Sequence, residues 1–213
     1  MSPVSLPRLY AILDASCFSE PNAMLQAAGQ IIDAGVSLLQ YRNKRDNAQV
    51  ILCQARQLRH ASARLGTPAP RGLRLIMNDR ADLGLAAEFD GVHVGQDDLS
   101  PESVREIIGS ERWLGVSTHN SEQVTEADTT SADYIAIGPV FATGSKAAPD
   151  PVVGLEGVRR ARSLTRKPLV AIGGITRRSC RSVIDAGADS VAVISDLVLD
   201  PAKSAEEFLR ILG

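Results

Sequence analysis

The sequence predicts a (β/α)8 barrel, and three observations carry that expectation. Eight short apolar runs recur along the 213 residues, each of the length of a buried parallel strand. Amphipathic segments with readable caps separate them. No break in composition divides the chain, and barrels of this kind routinely use about 200–250 residues as one domain. Strand and helix alternating from end to end imply a parallel sheet covered by helices. Residues 1–213 are therefore expected to form one barrel domain.

The expected strands are residues 9–13, 37–41, 73–77, 91–94, 113–116, 134–138, 169–172 and 190–194. Between them, Asp46 opens a segment whose Ile51, Ala55 and Leu58 fall on one helical face. Ser100-Pro101 opens another, with proline at the first helical position, where its missing N–H costs nothing. Thr176 opens a third, which closes at Ala186-Gly187, a common helix stop. Asp200-Pro201 begins the last, with Ala205, Phe208, Leu209 and Leu212 as its inner stripe. Residues 66–72, carrying Pro68 and Pro70, read as a helix-to-strand loop. An open dinucleotide-binding sheet would show Gly-x-Gly-x-x-Gly after the first strand, but Leu13-Asp14-Ala15-Ser16-Cys17 stands there. Thr143-Gly144-Ser145-Lys146 has the wrong order for a phosphate-binding Walker loop.

Apolar content of 44% and charged content of 23% are ordinary for a globular chain. A net charge of −2 gives no global basic footprint for nucleic acid, though cations clustered in a cleft still bind anions. Cys17, Cys53 and Cys180 are odd in number and lack metal-ligand spacing, which points to a reducing compartment. Residues 1–7 contain no apolar signal core, and no apolar stretch reaches membrane-spanning length. A cytoplasmic protein is expected.

In a barrel, chemistry collects at the C-terminal ends of the strands. After strand 2, Gln40, Arg42 and Lys44 alternate with Tyr41 and Asn43, and period-two spacing aims the three at a common target. Asn78, Asp79 and Arg80 follow strand 3, and Gln96, Asp97 and Asp98 follow strand 4. Ser117 and His119 follow strand 5. Thr143, Ser145 and Lys146 follow strand 6, in a loop running to Gly154 that is long for a barrel and rich in Gly, Ala and Pro, as a lid is. Gly173-Gly174 follows strand 7, and Ser195 follows strand 8, where barrel enzymes commonly bind phosphate.

Asp79 and Asp98 sit past the ends of successive strands, and neighbouring parallel strands lie about 4.8 Å apart. Two carboxylates in so small a space repel. A Mg2+ ion resolves the conflict, since it takes one or two carboxylates plus substrate phosphate; the plain alternative makes both acids loop residues or helix caps. Arg42, Lys44 and Lys146 beside such a metal exceed what a monophosphate needs and suit a diphosphate. Across the mouth, Gly173, Gly174 and Ser195 suit a phosphate monoester. Two anionic substrates face to face imply a group transfer with diphosphate leaving. No nucleophilic triad is present. His93, between Val92 and Val94, reads as a hydrogen-bonded core histidine or a catalytic one. Cys180 reads as packing, and Asp14 and Asp196 as strand-end caps without assigned chemistry.

These residues resemble the thiamine-phosphate synthase (thiamine-phosphate pyrophosphorylase) family. The pattern comprises Gln40-Tyr41-Arg42-Asn43-Lys44, Asn78-Asp79-Arg80, Gly91-Val92-His93-Val94-Gly95-Gln96-Asp97-Asp98 and Gly115-Val116-Ser117-Thr118-His119. It continues with residues 133–141, Thr143-Gly144-Ser145-Lys146 and Ile172-Gly173-Gly174-Ile175. The resemblance runs from about Leu9 to the last helix, and the order and spacing of the motifs make it specific. It implies that hydroxymethylpyrimidine diphosphate joins a thiazole phosphate to give thiamine phosphate and pyrophosphate. It implies Gln40, Arg42, Lys44, Asn78 and Lys146 as ligands of the pyrimidine diphosphate, and Asp79 and Asp98 as ligands of Mg2+. Gly173, Gly174, Ile194 and Ser195, with Thr143 and Ser145 in the lid, are implied for the thiazole phosphate. Ser117 matches the residue beside the pyrimidine and leaving group, and with Lys146 is the expected catalytic pair. The implied mechanism is dissociative, which agrees with the missing general-base constellation. Departures from the pattern are Ser145 where threonine is frequent, Leu13-Asp14 in place of Thr-Asp, and an atypical loop at 147–153.

Two other readings stand beside it. A thiazole tautomerase of the same superfamily would bind thiazole phosphate alone, and that branch also carries a histidine near His119. A non-catalytic thiamine-phosphate binding protein would need no leaving-group stabilisation. Arg42, Lys44, Asp79, Asp98 and Lys146 argue for the transferase over both.

Overall fold

The computed structural model describes residues 4–64, 72–144 and 150–213, less the side chains of residues 63 and 64. Its strands are β1 Leu9–Asp14, β2 Leu38–Arg42, β3 Arg74–Asn78, β4 Gly91–Val94, β5 Trp113–Thr118, β6 Tyr134–Ile137, β7 Leu169–Ile172 and β8 Ser190–Val193. All pair in parallel and in sequence order, and β1 closes the barrel against β8. Among the described residues the helices are α1 Pro21–Asp33, α2 Ala48–Arg64, α3 Ala81–Ala86, α4 Pro101–Ile108, α5 Ser121–Thr129, α6 Gly154–Leu164, α7 Cys180–Asp185, α8 Ser195–Val198 and α9 Pro201–Leu212. The expected fold class is the observed one.

Period-two alternation sorts the strand residues into two cores. Leu9, Ala11 and Leu13 of β1, like Leu75 and Met77 of β3, face outward and pack under the helices. Tyr10, Ile12, Leu38, Ile76, Tyr134, Ala136, Val170 and Ala192 fill the barrel interior, with Leu6 and Trp113 packed against them. The Arg74 guanidinium covers the Trp113 ring at 4.8 Å.

Several boundaries differ from the sequence expectation, each for a local reason. The ends of β1, β2, β3 and β5 run one or two residues further than the apolar runs. Asp14, Arg42, Asn78 and Ser117 therefore stand on strands, because the backbone ladder continues after the side chains turn polar. The cap of α2 is Asn47, whose Oδ1 accepts from the Gln49 and Val50 N–H groups at 3.1 Å; Asp46 is held by Asn43 Nδ2 at 2.8 Å instead. Thr176 opens a turn rather than a helix, since its N–H donates to Ser179 Oγ at 3.0 Å, the kind of local bond that competes with helix. Helix α8 was not expected, being too short for periodicity to register. Ser100 and Asp200 cap α4 and α9 as expected, accepting from Ser103 N and Lys203 N.

Gly29 lies inside α1 with nothing within 4 Å of where a Cβ would stand. Gly29→Ala is expected to raise stability by about 0.5–1 kcal/mol by removing backbone freedom from the unfolded chain. Thermal unfolding checks this; a lowered midpoint would contradict it.

Candidate active site

The first half of the site grows from β2, β3 and β4. Gln40 is 3% exposed and faces the interior, its Nε2 donating to Tyr10 Oη at 2.8 Å. Two residues on, Arg42 donates to the Asp14 carboxylate, which also accepts from Ser16 N and Oγ. Asp14, given no chemistry by the sequence reading, thus fixes the Arg42 guanidinium from the neighbouring strand. Asn43 points the other way and ties the turn down, its Oδ1 accepting from Arg45 N and Asp46 N.

Asp79 has a φ of 61°, a left-handed conformation that Asp and Asn tolerate better than most residues. Its N–H continues the ladder by donating to His93 O at 2.8 Å. Lys44 Nζ stands 2.9 Å from Asp79 Oδ2, and the Asp98 side chain lies within hydrogen-bonding reach of Asp79. Burial raises the Asp79 pKa above the usual carboxylate value; Lys44 opposes this and Asp98 adds to it. Asp98 is held in a tight turn, its Oδ2 accepting from Gly95 N at 2.7 Å.

That crowding is the test of fit for a divalent cation. Two half-buried carboxylates side by side, relieved by one lysine, form a hard-oxygen corner. Among the described residues no group of three or more His, Cys, Asp or Glu side chains gathers to hold a metal. An all-protein cage is therefore not what these residues make. Two carboxylates fit an ion such as Mg2+, which takes its other ligands from water and phosphate oxygens.

At the end of β5, Ser117 is held twice. Its carbonyl accepts from Gln96 Nε2 at 2.6 Å, and its Oγ lies 2.9 Å from His93 Nε2. His93 Nδ1 lies 3.1 Å from Tyr134 Oη, and Tyr134 Oη lies 2.9 Å from Tyr10 Oη. His93 is buried with both ring nitrogens hydrogen-bonded. Burial pushes its pKa down to about 4 and raises those of Tyr10 and Tyr134. His119 donates through Nδ1 to Gly138 O at 2.7 Å, joining the ends of β5 and β6.

The His93 shift carries a stability consequence. The unfolded imidazole takes its proton near pH 6.5 and the folded one only near 4. Between those values the unfolded chain binds more protons, so stability falls as pH drops, by up to ~1.4 kcal/mol per pH unit. His93→Gln is expected to flatten this acid slope in chemical denaturation from pH 7 to 4. An unchanged slope would contradict the assignment.

The second half of the mouth comes from β6 to β8. Gly173 and Gly174 have φ of 100° and 63°. A Cβ on Gly173 would meet Pro139 Cβ at 2.5 Å, and one on Gly174 would meet Ala142 O at 2.5 Å. Both glycines are thus required by backbone conformation and by the 139–142 segment. That segment runs beside the loop, with Val140 N donating to Ile172 O and Phe141 N to Gly173 O. Ile194 packs against the barrel interior and caps α8, which opens with the exposed Ser195. Arg177 forks onto Asp196, with Nε and Nη2 each 3.1 Å from a carboxylate oxygen, and so ties the loop after β7 to α8. Thr143 stands on the loop after β6, whose stem is closed by Val153 N to Pro139 O and Gly154 N to Val140 O. Ser145 and Lys146 lie outside the described residues.

The structure therefore gathers Gln40, Arg42, Lys44, Asn78, Asp79, Asp98 and Ser117 at the ends of β2 to β5. Gly173, Gly174, Ile194 and Ser195 stand at the ends of β7 and β8. Sequence reasoning missed Asp14 as the partner of Arg42, and Tyr10 and Tyr134 as polar interior residues. Period two from Leu9 already places Tyr10, Ile12 and Asp14 on one face, which was the available signal.

The profile of the family described as thiamine monophosphate synthase matches residues 9–197. The chain belongs to that family. A thiamine-phosphate synthase of Koribacter versatilis (strain Ellin345) is 58% identical over 214 aligned residues, covering 99% of this chain and 98% of the relative. One from Chloroflexus aurantiacus is 40% identical, covering 96% and 92%. Among solved structures, thiamine phosphate pyrophosphorylase from Pyrococcus furiosus superposes with a TM-score of 0.82 at 29% identity, covering 96% of this chain and 95% of that one. The family's fold and the barrel observed here agree, and the resemblance read from the motifs holds across nearly the whole chain.

Proposed function

We propose that this chain is a thiamine-phosphate synthase that transfers the hydroxymethylpyrimidine group from its diphosphate to a thiazole phosphate, releasing pyrophosphate. It is an enzyme, a transferase of thiamine biosynthesis. The observation that carries this reading beyond family membership is the Lys44–Asp79–Asp98 corner beside Arg42. It is a charged, metal-competent half-site that a thiazole-phosphate isomerase or a passive binder has no use for.

In this reading Gln40 and Asn78 hold the pyrimidine diphosphate at the inner wall, and Arg42 and Lys44 take its phosphates. Asp14 keeps the guanidinium from swinging away. Asp79 and Asp98 would hold Mg2+, which would supply positive charge to the diphosphate oxygens. The bond from the pyrimidine methylene carbon to diphosphate oxygen breaks, and its electron pair leaves with pyrophosphate. Ser117 and Lys146 meet that developing charge. The thiazole nitrogen then donates its lone pair to the carbon, forming the new C–N bond without a general base. Gly173, Gly174, Ile194 and Ser195, with Thr143 and Ser145, steady the thiazole phosphate opposite.

The free thiols Cys17, Cys53 and Cys180 fit a reducing cytoplasm, and no helix among the described residues is long and apolar enough to cross a membrane.

The test is turnover with both purified substrates. Thiamine phosphate and pyrophosphate are expected in equal amounts with Mg2+, and neither in excess EDTA. Full activity in EDTA would remove the metal role from Asp79 and Asp98. Isomerisation of a thiazole phosphate with no pyrophosphate release would favour the tautomerase reading. Lys146→Ala is expected to lower kcat more than substrate affinity, because its charge matters most as pyrophosphate leaves.

A further inference from the structure

The barrel interior carries a polar chain that crosses four strands beyond Gln40. Gln40 Nε2 meets Tyr10 Oη at 2.8 Å, which meets Tyr134 Oη at 2.9 Å. Tyr134 Oη meets His93 Nδ1 at 3.1 Å, and His93 Nε2 meets Ser117 Oγ at 2.9 Å. Its two ends are residues placed against substrate above, while its three middle members touch no substrate in that account. A side chain is missing where the chain needs room: a Cβ on Gly115 would lie 2.1 Å from Tyr134 Cζ and 2.4 Å from His93 Nδ1.

Each middle member has one proton to give. Both phenols and the imidazole are buried, and each ring nitrogen meets a hydroxyl rather than a carboxylate, so donation runs in one direction along the whole chain. The Gln40 amide nitrogen donates only, so Tyr10 accepts from it; Tyr134 Oη is the other hydrogen-bond partner of this buried phenol, and donating there is what leaves the Tyr10 proton paired. Tyr134 then donates to His93 Nδ1, which places the imidazole proton on Nε2. That proton occupies a lone pair of Ser117 Oγ, and the serine is left with its own proton to give elsewhere.

We propose that Gln40, Tyr10, Tyr134, His93 and Ser117 form one directed relay that aims the Ser117 hydroxyl proton at the departing diphosphate. Tyr10, Tyr134 and His93 are its positioning residues. This rests on the transferase reading for what Ser117 faces, but the direction of the relay does not depend on it. With the relay intact, Ser117 arrives as a preorganised donor, the arrangement that stabilises developing negative charge without reorganisation. With the relay broken at Tyr134, the imidazole is free to take its proton on Nδ1. Nε2 then accepts from Ser117 and turns the hydroxyl inward.

Nitrogen-15 NMR of histidine-labelled whole protein at neutral pH tests the direction. His93 is expected to be protonated at Nε2 and bare at Nδ1; the opposite tautomer would overturn the proposal. Kinetics test the positioning role. Tyr134→Phe is expected to lower kcat roughly tenfold, about one hydrogen bond, with KM for both substrates unchanged. In a Ser117→Ala background the same change should cost almost nothing further. His93→Gln keeps an N–H at the position of Nε2 and should retain more activity than His93→Asn. Equal, additive losses in Tyr134→Phe and Ser117→Ala would overturn the relay. If the wild-type protein releases no pyrophosphate the transferase reading fails, and the tautomer still decides the direction of the chain.

Discussion

Asp79→Asn is expected to cut kcat by a factor on the order of 10²–10³, the scale of removing one preorganised charge-stabilising group, while the metal-free protein becomes no less stable. Asparagine tolerates the left-handed backbone at this position, where φ is 61°, so the turn after β3 should survive. The carboxylate itself is a liability without a cation. Burial and the neighbouring Asp98 both disfavour its charge, and only Lys44 opposes them. Replacing it with a neutral isostere removes that penalty and the proposed metal ligand together. Thermal unfolding in EDTA should therefore match or exceed wild type, and the stabilisation that Mg2+ with diphosphate gives the wild type should vanish. A variant with near wild-type turnover would mean that the corner is a simple ion pair.

Gly115→Ala is expected to lower stability by about 2–3 kcal/mol and kcat at least tenfold. The added methyl group would sit 2.1 Å from Tyr134 Cζ, inside a fully packed interior. Overpacking of this kind costs about 1–3 kcal/mol, and a loss of about 2–3 kcal/mol lowers the unfolding midpoint by roughly 4–12 °C for a chain of this size. Rate should suffer because the atoms displaced are those joining Tyr134 to His93. Calorimetry and steady-state kinetics on the one variant read both effects. An unshifted midpoint would show that the Tyr134 and His93 rings yield without cost.

The architecture was legible in the sequence because each strand announces itself as a short apolar run between capped helices. The ends of strands were harder. Polar residues such as Arg42 and Asn78 interrupt an apolar run without interrupting the backbone ladder, so the runs stop short of β2 and β3. The charged corner was legible through spacing alone: Gln40, Arg42 and Lys44 alternate, and Asp79 and Asp98 follow adjacent strands. Asp14 was not, since a strand-end aspartate looks the same whether it caps a turn or grips an arginine one strand away. Tyr10 and Tyr134 were hidden for a related reason. Their partners lie 124 residues apart in sequence, and only closure of the barrel brings the phenols together.

Binding calorimetry of each substrate alone, with and without Mg2+, tests the division of the mouth most directly. Hydroxymethylpyrimidine diphosphate is expected to bind in a Mg2+-dependent manner that Asp79→Asn abolishes, while thiazole phosphate binding ignores the metal and weakens in Ser195→Ala. Thiazole phosphate affinity that tracks Mg2+, or diphosphate affinity indifferent to it, would contradict the account.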